Sequence, residues 1–221
     1  MTIEQLAGII KPASNEAMEA AKRRWRYKCM PLGSLGAFQS IIVRMAGMQR
    51  KEVPEIRKKT AVVIAADNGV VEEGVSQSDS TVTTQVVKNM LCKQSGVSLL
   101  AEYNCCGLHI INLGMKERTP INGVDWHPLM YGTDNMAKGP AMSKKTAEEA
   151  ILYGAGQAMK LAKAGTDIFA IGEMGIGNTS TSSAVLSVLT GLTPEEVTGR
   201  GAGLSSDGLE KKIRPSTGQL M

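Results

Sequence analysis

Three short runs of apolar residues without alternation constrain this chain most: TAVVIAA at 60–66, LHIINL at 108–113 and DIFAIG at 167–172. A strand that faces water on one side alternates apolar with polar residues, whereas a strand buried on both faces does not. Segments of helical period separate the three runs. Residues 81–103 read as helix with a break near Ser95-Gly96, 144–164 as a helix capped by Ser143, and 179–189 as a further helix. Strand–helix alternation of this kind predicts an α/β fold, an open parallel Rossmann-like sheet flanked by helices. The stretch 115–143, rich in Gly, Pro and Asn, reads as irregular.

The first fifty residues follow another pattern. Residues 3–30 read as a helical lead-in, with Asn15 as a cap and Glu16, Met18, Ala21 and Trp25 at helical spacing. PLGSLG at 31–36 interrupts it, and a second helix over 37–50 gathers Phe38, Ile41, Ile42, Met45 and Met48. The expected organisation is an N-terminal helical element (1–50), an α/β domain (51–213) and a tail (214–221), in which Pro215 and Gly218 break the helical period.

Composition narrows the function. With 43% hydrophobic and 21% charged residues the chain is not disordered, and with 4% aromatics its core rests on aliphatic side chains and 13 Met. Lys plus Arg (25) exceed Asp plus Glu (21) too slightly to argue for a nucleic-acid surface. No apolar stretch is long enough to span a membrane, and the N-terminus does not read as a secretory signal. Cys29, Cys92, Cys105 and Cys106 form no CxxC pair, which speaks against a disulfide framework or a zinc site and for a reduced, cytoplasmic protein. Two histidines, His109 and His127, leave little room for catalysis resting on several.

Three loops are candidates for chemistry. Ile171-Gly172-Glu173-Met174-Gly175-Ile176-Gly177-Asn178-Thr179-Ser180 lies between a strand run and a helix. Two glycines two apart let backbone N–H groups crowd an anion, and the helix N-terminus at Asn178 adds its positive end. Glu173 is out of place in a loop that only holds phosphate and suits a sugar hydroxyl or a ring nitrogen. A tight turn without a ligand remains the other reading. Thr198–Leu204 (TGRGAGL) matches neither the dinucleotide fingerprint nor the P-loop; Arg200, Lys211 and Lys212 are cations within reach of a phosphate, or solvated charges. The third loop, Asp67–Ser76, has Thr83 and Gln85 downstream; it is either a plain turn or, through Ser76 and Gln85, a neutral surface for a ring ligand.

Taken together, PLGSLG (31–36), ADNGVVEEGVS (66–76), GTDNMAKGPAM (132–142), IGEMGIGNTS (171–180) and GRGAGL (199–204) resemble the nicotinate-nucleotide–dimethylbenzimidazole phosphoribosyltransferase family, over about residues 20–213. The resemblance implies transfer of ribose 5-phosphate from nicotinate mononucleotide to a ring nitrogen of dimethylbenzimidazole, giving α-ribazole phosphate and nicotinate in the lower-ligand branch of cobalamin synthesis. It implies small-molecule substrates, no cofactor, no metal, no nucleic acid and no membrane, and a homodimer. It sets Glu173 beside the reacting ring and Met174, Gly175, Ile176, Gly177, Asn178, Gly201 and Gly203 near the mononucleotide. Lys212 becomes the phosphate-binding lysine, and Ser76 and Gln85 part of the benzimidazole pocket.

Members of the family carry a further C-terminal segment in which the Glu of a Gly-Glu-Gly-Thr-Gly motif is the general base. IRPSTGQLM at 213–221 does not match it, so the resemblance implies an α/β domain incomplete at its C-terminus, without that base. The alternative is a catalytically impaired module that binds a nucleotide or a benzimidazole without turnover.

Overall fold

A computed structural model of the chain describes residues 1–31 and 33–217. Leu32 of the PLGSLG loop, and Gly218 with the last residues of the tail, lie outside the described residues. Two compact units divide between Arg57 and Lys58.

The first unit holds α1 (Ile3–Ile9), α2 (Asn15–Arg26) and α3 (Ala37–Gln49). Ala21 of α2 packs against Val43 and Ala46 of α3, flanked by Met18 and Trp25. The cap of α2 is Ser14, whose hydroxyl accepts the Ala17 N–H at 3.2 Å, and Asn15 is the first helical residue. Either residue type caps well; the phase of the buried pair Ala17 and Ala21 sets the start one residue earlier than expected.

The second unit is built on a parallel sheet of β1 (Lys59–Ala66), β2 (Cys106–Gly114), β3 (Val124–Trp126) and β4 (Ile168–Met174), in the order β3-β2-β1-β4. The helices are α4 (Thr81–Leu91), α5 (Gly96–Tyr103), α6 (Lys144–Lys163), α7 (Asn178–Thr190), α8 (Pro194–Val197) and α9 (Ser206–Thr217). Val63 and Ala65 of β1 and Ile110 of β2 form the core with Val87 and Met90 of α4 and with Met115. Among the described residues no helix is long and apolar enough to cross a membrane.

Three features of this second unit also depart from the sequence-based expectation. β3 lies within the stretch read as irregular, because three residues, Val-Asp-Trp, carry no apolar run. β4 is not buried on both faces: most of its residues are exposed, Ile171 by 81%, and among the described residues β1 is its one neighbour. α9 runs through Pro215 to Thr217. Proline in the last turn removes a single N–H, the one that would meet the Lys211 carbonyl, so the helix continues past it.

In this strand order β1 is the turning point: the chain leaves it for β2 on one side and returns to pair with it through β4 on the other. Ligands of open parallel sheets bind beyond the carboxyl ends of the strands at such a point. Both the Asp67–Ser76 and the Gly175–Asn178 loops leave the sheet there.

Candidate functional site

The two loops are interlocked. Gly175 lies against β1 so closely that a Cβ there would fall 1.9 Å from the Ala66 carbonyl oxygen. Gly177, at φ +88°, caps α7 in the left-handed region with Val71 and Asn68 against it. The Asn68 amide donates to the Ile176 carbonyl at 3.1 Å, and the Ile176 N–H donates to the Thr83 hydroxyl at 3.1 Å. Thr83 in turn donates to the Asp67 carboxylate at 2.6 Å.

The third loop closes over them. The Gln77 amide donates to the Gly203 carbonyl at 3.3 Å. The Lys212 ammonium, on α9, donates to the Thr179 hydroxyl at 2.7 Å and to the Gly199 carbonyl at 3.0 Å. Gly201 has φ +57°, and a Cβ there would meet Lys212 Nζ and Thr179 Oγ1, both at 2.9 Å. Arg200 ties its own loop shut, donating to the Leu204 carbonyl at 2.8 Å and to Ser206 Oγ at 3.2 Å.

A cavity of about 150 Å³ opens between the loops, with Ser76, Ile176, Gly177, Asn178, Arg200 and Lys212 in its wall. Pockets for whole drug-sized ligands span roughly 300–1,000 Å³. This one is sized for the phosphate-bearing end of a ligand. A larger cavity of about 560 Å³ lies where the strands begin, walled by Ala61, Leu100, Cys106 and Ile168. Its wall is mostly apolar, with Lys59 and Asn104 at it, whereas the smaller one gathers Ser76, Asn178, Arg200 and Lys212.

Lys212 is a buried cation of the smaller cavity. It is 1% exposed, and among the described residues it has no carboxylate partner. Burial holds its ammonium below the usual lysine range. A buried cation whose partners are a hydroxyl and a carbonyl, with a third N–H to spare, is set up for an anion.

Glu173, the penultimate residue of β4, accepts a hydrogen bond from the Asn178 amide. Glu173 is exposed and outside the wall of the small cavity; the partial burial of its carboxyl pushes it above the usual carboxylate range, and the Asn178 bond opposes that push.

The other expected site residues separate. Met174 packs its side chain into the core of Val63 and Ala65, because strand alternation turns it to the face opposite Glu173. Gln85 sits on the exposed side of α4, bonded to Asn89 at 3.0 Å, outside the cavity wall. Two helical residues past the buried Thr83 place it about 200° around the helix. Ser76 is in the wall, its hydroxyl accepting the Ser78 N–H at 3.3 Å. Residue types alone did not show the Asp67–Thr83–Ile176 relay. A carboxylate directly ending an apolar run is its one trace, since a buried Asp needs dedicated donors.

A family profile described as "Phosphoribosyltransferase" matches residues 10–215. A nicotinate-nucleotide–dimethylbenzimidazole phosphoribosyltransferase of Acetivibrio thermocellus is 40% identical over 90% of this chain and 56% of its own. One of Ruminiclostridium cellulolyticum is 39% identical over 96% of this chain and 60% of its own. The crystal structure of CobT from Thermus thermophilus superposes with a TM-score of 0.88 at 35% identity, over 93% of this chain and 62% of that one. The chain thus spans about three-fifths of the length of these relatives.

Proposed function

The chain belongs to the phosphoribosyltransferase family, and from that premise we propose that it holds nicotinate mononucleotide for transfer of its 5-phosphoribosyl group to 5,6-dimethylbenzimidazole or a related base, giving α-ribazole 5′-phosphate and nicotinate. The names of the relatives support the substrates. The observation that carries the reading is the buried Lys212 ammonium, without a carboxylate partner among the described residues, in a cavity of phosphate size at the N-terminus of α7.

In this reading Lys212, with the helix N-terminus, takes the phosphate. The glycosidic bond between C1′ and the pyridinium nitrogen breaks, and its electron pair neutralises the ring. The imine nitrogen of the benzimidazole forms the new bond at C1′ from the opposite face. The proton on the other ring nitrogen then leaves. Because the departing ring begins as a cation it needs no acid, and the protein's task is to align the two rings and receive that proton. Glu173 is the residue we assign beside the reacting ring, its raised carboxyl making it a stronger base than an ordinary carboxylate. Ser76 offers a hydroxyl at the cavity wall for the incoming base. Met174 and Gln85 stand outside the wall of the phosphate-sized cavity, and Gln85 stays assigned to the side of the incoming base.

The same reading makes the protein a cytoplasmic homodimer. Four free thiols support a reducing compartment, and the exposed Phe38, Ile41 and Met48 on α3 support an oligomeric state. The test is to incubate the purified chain with nicotinate mononucleotide and dimethylbenzimidazole and separate the products by chromatography. Equimolar α-ribazole phosphate and nicotinate are expected. A chain that forms neither product and binds no mononucleotide would refute the reading.

A further inference from the structure

The backbone of Ile176 is held on both sides by side chains from other elements. Its N–H goes to Thr83 of α4, and its carbonyl receives the amide of Asn68, just past β1. Thr83 and Asp67 are both fully buried. The Asp67 carboxylate can only accept, so the Thr83 hydroxyl donates to it and turns a lone pair to the Ile176 N–H. The other Asp67 oxygen receives the Lys116 N–H at 2.8 Å. Asn68 is oriented equally firmly, since its Oδ1 accepts the Thr181 hydroxyl at 2.9 Å while its amide nitrogen faces the Ile176 carbonyl.

The Ile176 carbonyl and the Gly177 N–H share one peptide unit. In a trans peptide they point in opposite directions. By drawing the carbonyl toward itself, Asn68 turns the Gly177 N–H away. That N–H makes no hydrogen bond among the described residues, and Gly177 is in the cavity wall. We propose that Asn68 and Thr83 are positioning residues that clamp Ile176 and so hold the Gly177 N–H ready for the phosphate of the substrate. The anion-binding part of the inference rests on the phosphoribosyltransferase reading; the clamp itself does not.

Amide hydrogen exchange and ligand affinity test the two parts separately. In the wild-type chain the Ile176 amide is expected to be protected. In Thr83→Val, a near-isostere without the acceptor, it should exchange about tenfold faster while amides of β1 keep their rate, and Thr83→Ser should restore protection. The dissociation constant for nicotinate mononucleotide should weaken about tenfold in Thr83→Val and in Asn68→Asp, with Thr83→Ser near wild type. An Ile176 amide that exchanges freely in the wild type, or at the same rate in Thr83→Val, overturns the clamp whether or not the chain binds nucleotide. Should Thr83→Val lose β1 protection as well, Asn68→Asp and the wild-type amide still decide. A protected amide with unchanged mononucleotide affinity in the folded variants overturns the positioning role. A wild-type chain that binds neither nicotinate mononucleotide nor inorganic phosphate overturns that role together with the functional reading, leaving the clamp to the exchange data.

Discussion

Lys212 Nζ lies 2.7 Å from Thr179 Oγ1, so the ammonium of α9 sits at the first turn of α7. Neither residue supplies a negative charge. Among the described residues no carboxylate pairs with the ammonium, and burial depresses the lysine. Lys212→Met should therefore keep the fold, with a melting temperature within a few degrees of wild type, because it removes a buried charge along with two hydrogen bonds. It should weaken mononucleotide binding by ~10- to ~150-fold, the worth of a charged hydrogen bond at about 1.5–3 kcal/mol. Titration calorimetry with thermal melts checks both; unchanged affinity would remove Lys212 from the site.

Gly175 tests how tightly the loop is wedged onto β1. An alanine Cβ would overlap the Ala66 carbonyl, which cannot swing aside without breaking the sheet. Gly175→Ala is expected to destabilise by about 1–3 kcal/mol, the usual range for overpacking. Gly139→Ala, where a Cβ meets open space, is the control. Urea unfolding distinguishes them, and equal midpoints would contradict the close approach.

The raised carboxyl of Glu173 gives the activity a pH signature. A proton acceptor works only when ionised, so activity should climb as pH rises through the folded pKa, which lies above 4.5. The sign for stability is opposite. The folded state holds this proton more tightly than the unfolded one, so the contribution is complete below 4.5 and fades as pH rises through the folded value. Asn178→Ala removes the bond that opposes the shift and should move the acidic limb of the rate profile to higher pH. A limb that stays in place would show that Glu173 is not the titrating group.

The first half of the sheet is legible in the residues for a physical reason: β1 and β2 run through the interior, and burial on two faces writes itself as unbroken apolar sequence. The same signature misleads at β4, whose sequence resembles theirs although no described element lies along its outer edge. Composition records what a strand tolerates and not what stands beside it. Glycines report the site well because close approach and positive φ demand them, as at Gly175 and Gly177. Side-chain direction is less legible. Met174 and Gln85 sit within one or two residues of Glu173 and Thr83, and the turn of strand or helix sends them elsewhere.

Tyr153 offers a test of packing on the far side of the sheet. Its hydroxyl donates to Asp125 at 2.9 Å, its ring stacks on His127, and burial with the nearby carboxylate pushes its phenol up to about 12. The folded state keeps this proton beyond the unfolded value of about 10. The stabilisation is whole below pH 10 and is lost between about 10 and 12. Ultraviolet titration should show a late tyrosine step at about pH 12. In Tyr153→Phe the late step should vanish; its persistence would assign it to another tyrosine.

The free side of β4 carries the last prediction. Among the described residues β4 has one neighbour, and a strand paired on one side presents an edge that proteins ordinarily cover. Ile171 is exposed there, and Val185, Leu186, Val188 and Leu189 are exposed on α7, the helix that follows. About two-fifths of the Ruminiclostridium cellulolyticum relative has no counterpart in this chain. Doubly wound sheets with the order 3-2-1-4 commonly extend past the fourth strand. The unmatched part of that relative, made as a separate polypeptide, should therefore bind this chain, slow amide exchange along Ile168–Met174 and raise the melting temperature. Ile171→Lys should weaken the complex, placing a charge where a neighbouring strand would pack. A complex of two copies of this chain without the added segment would instead make β4 a self-association edge. Unchanged exchange along β4, with no complex by light scattering, would show that the edge is tolerated bare.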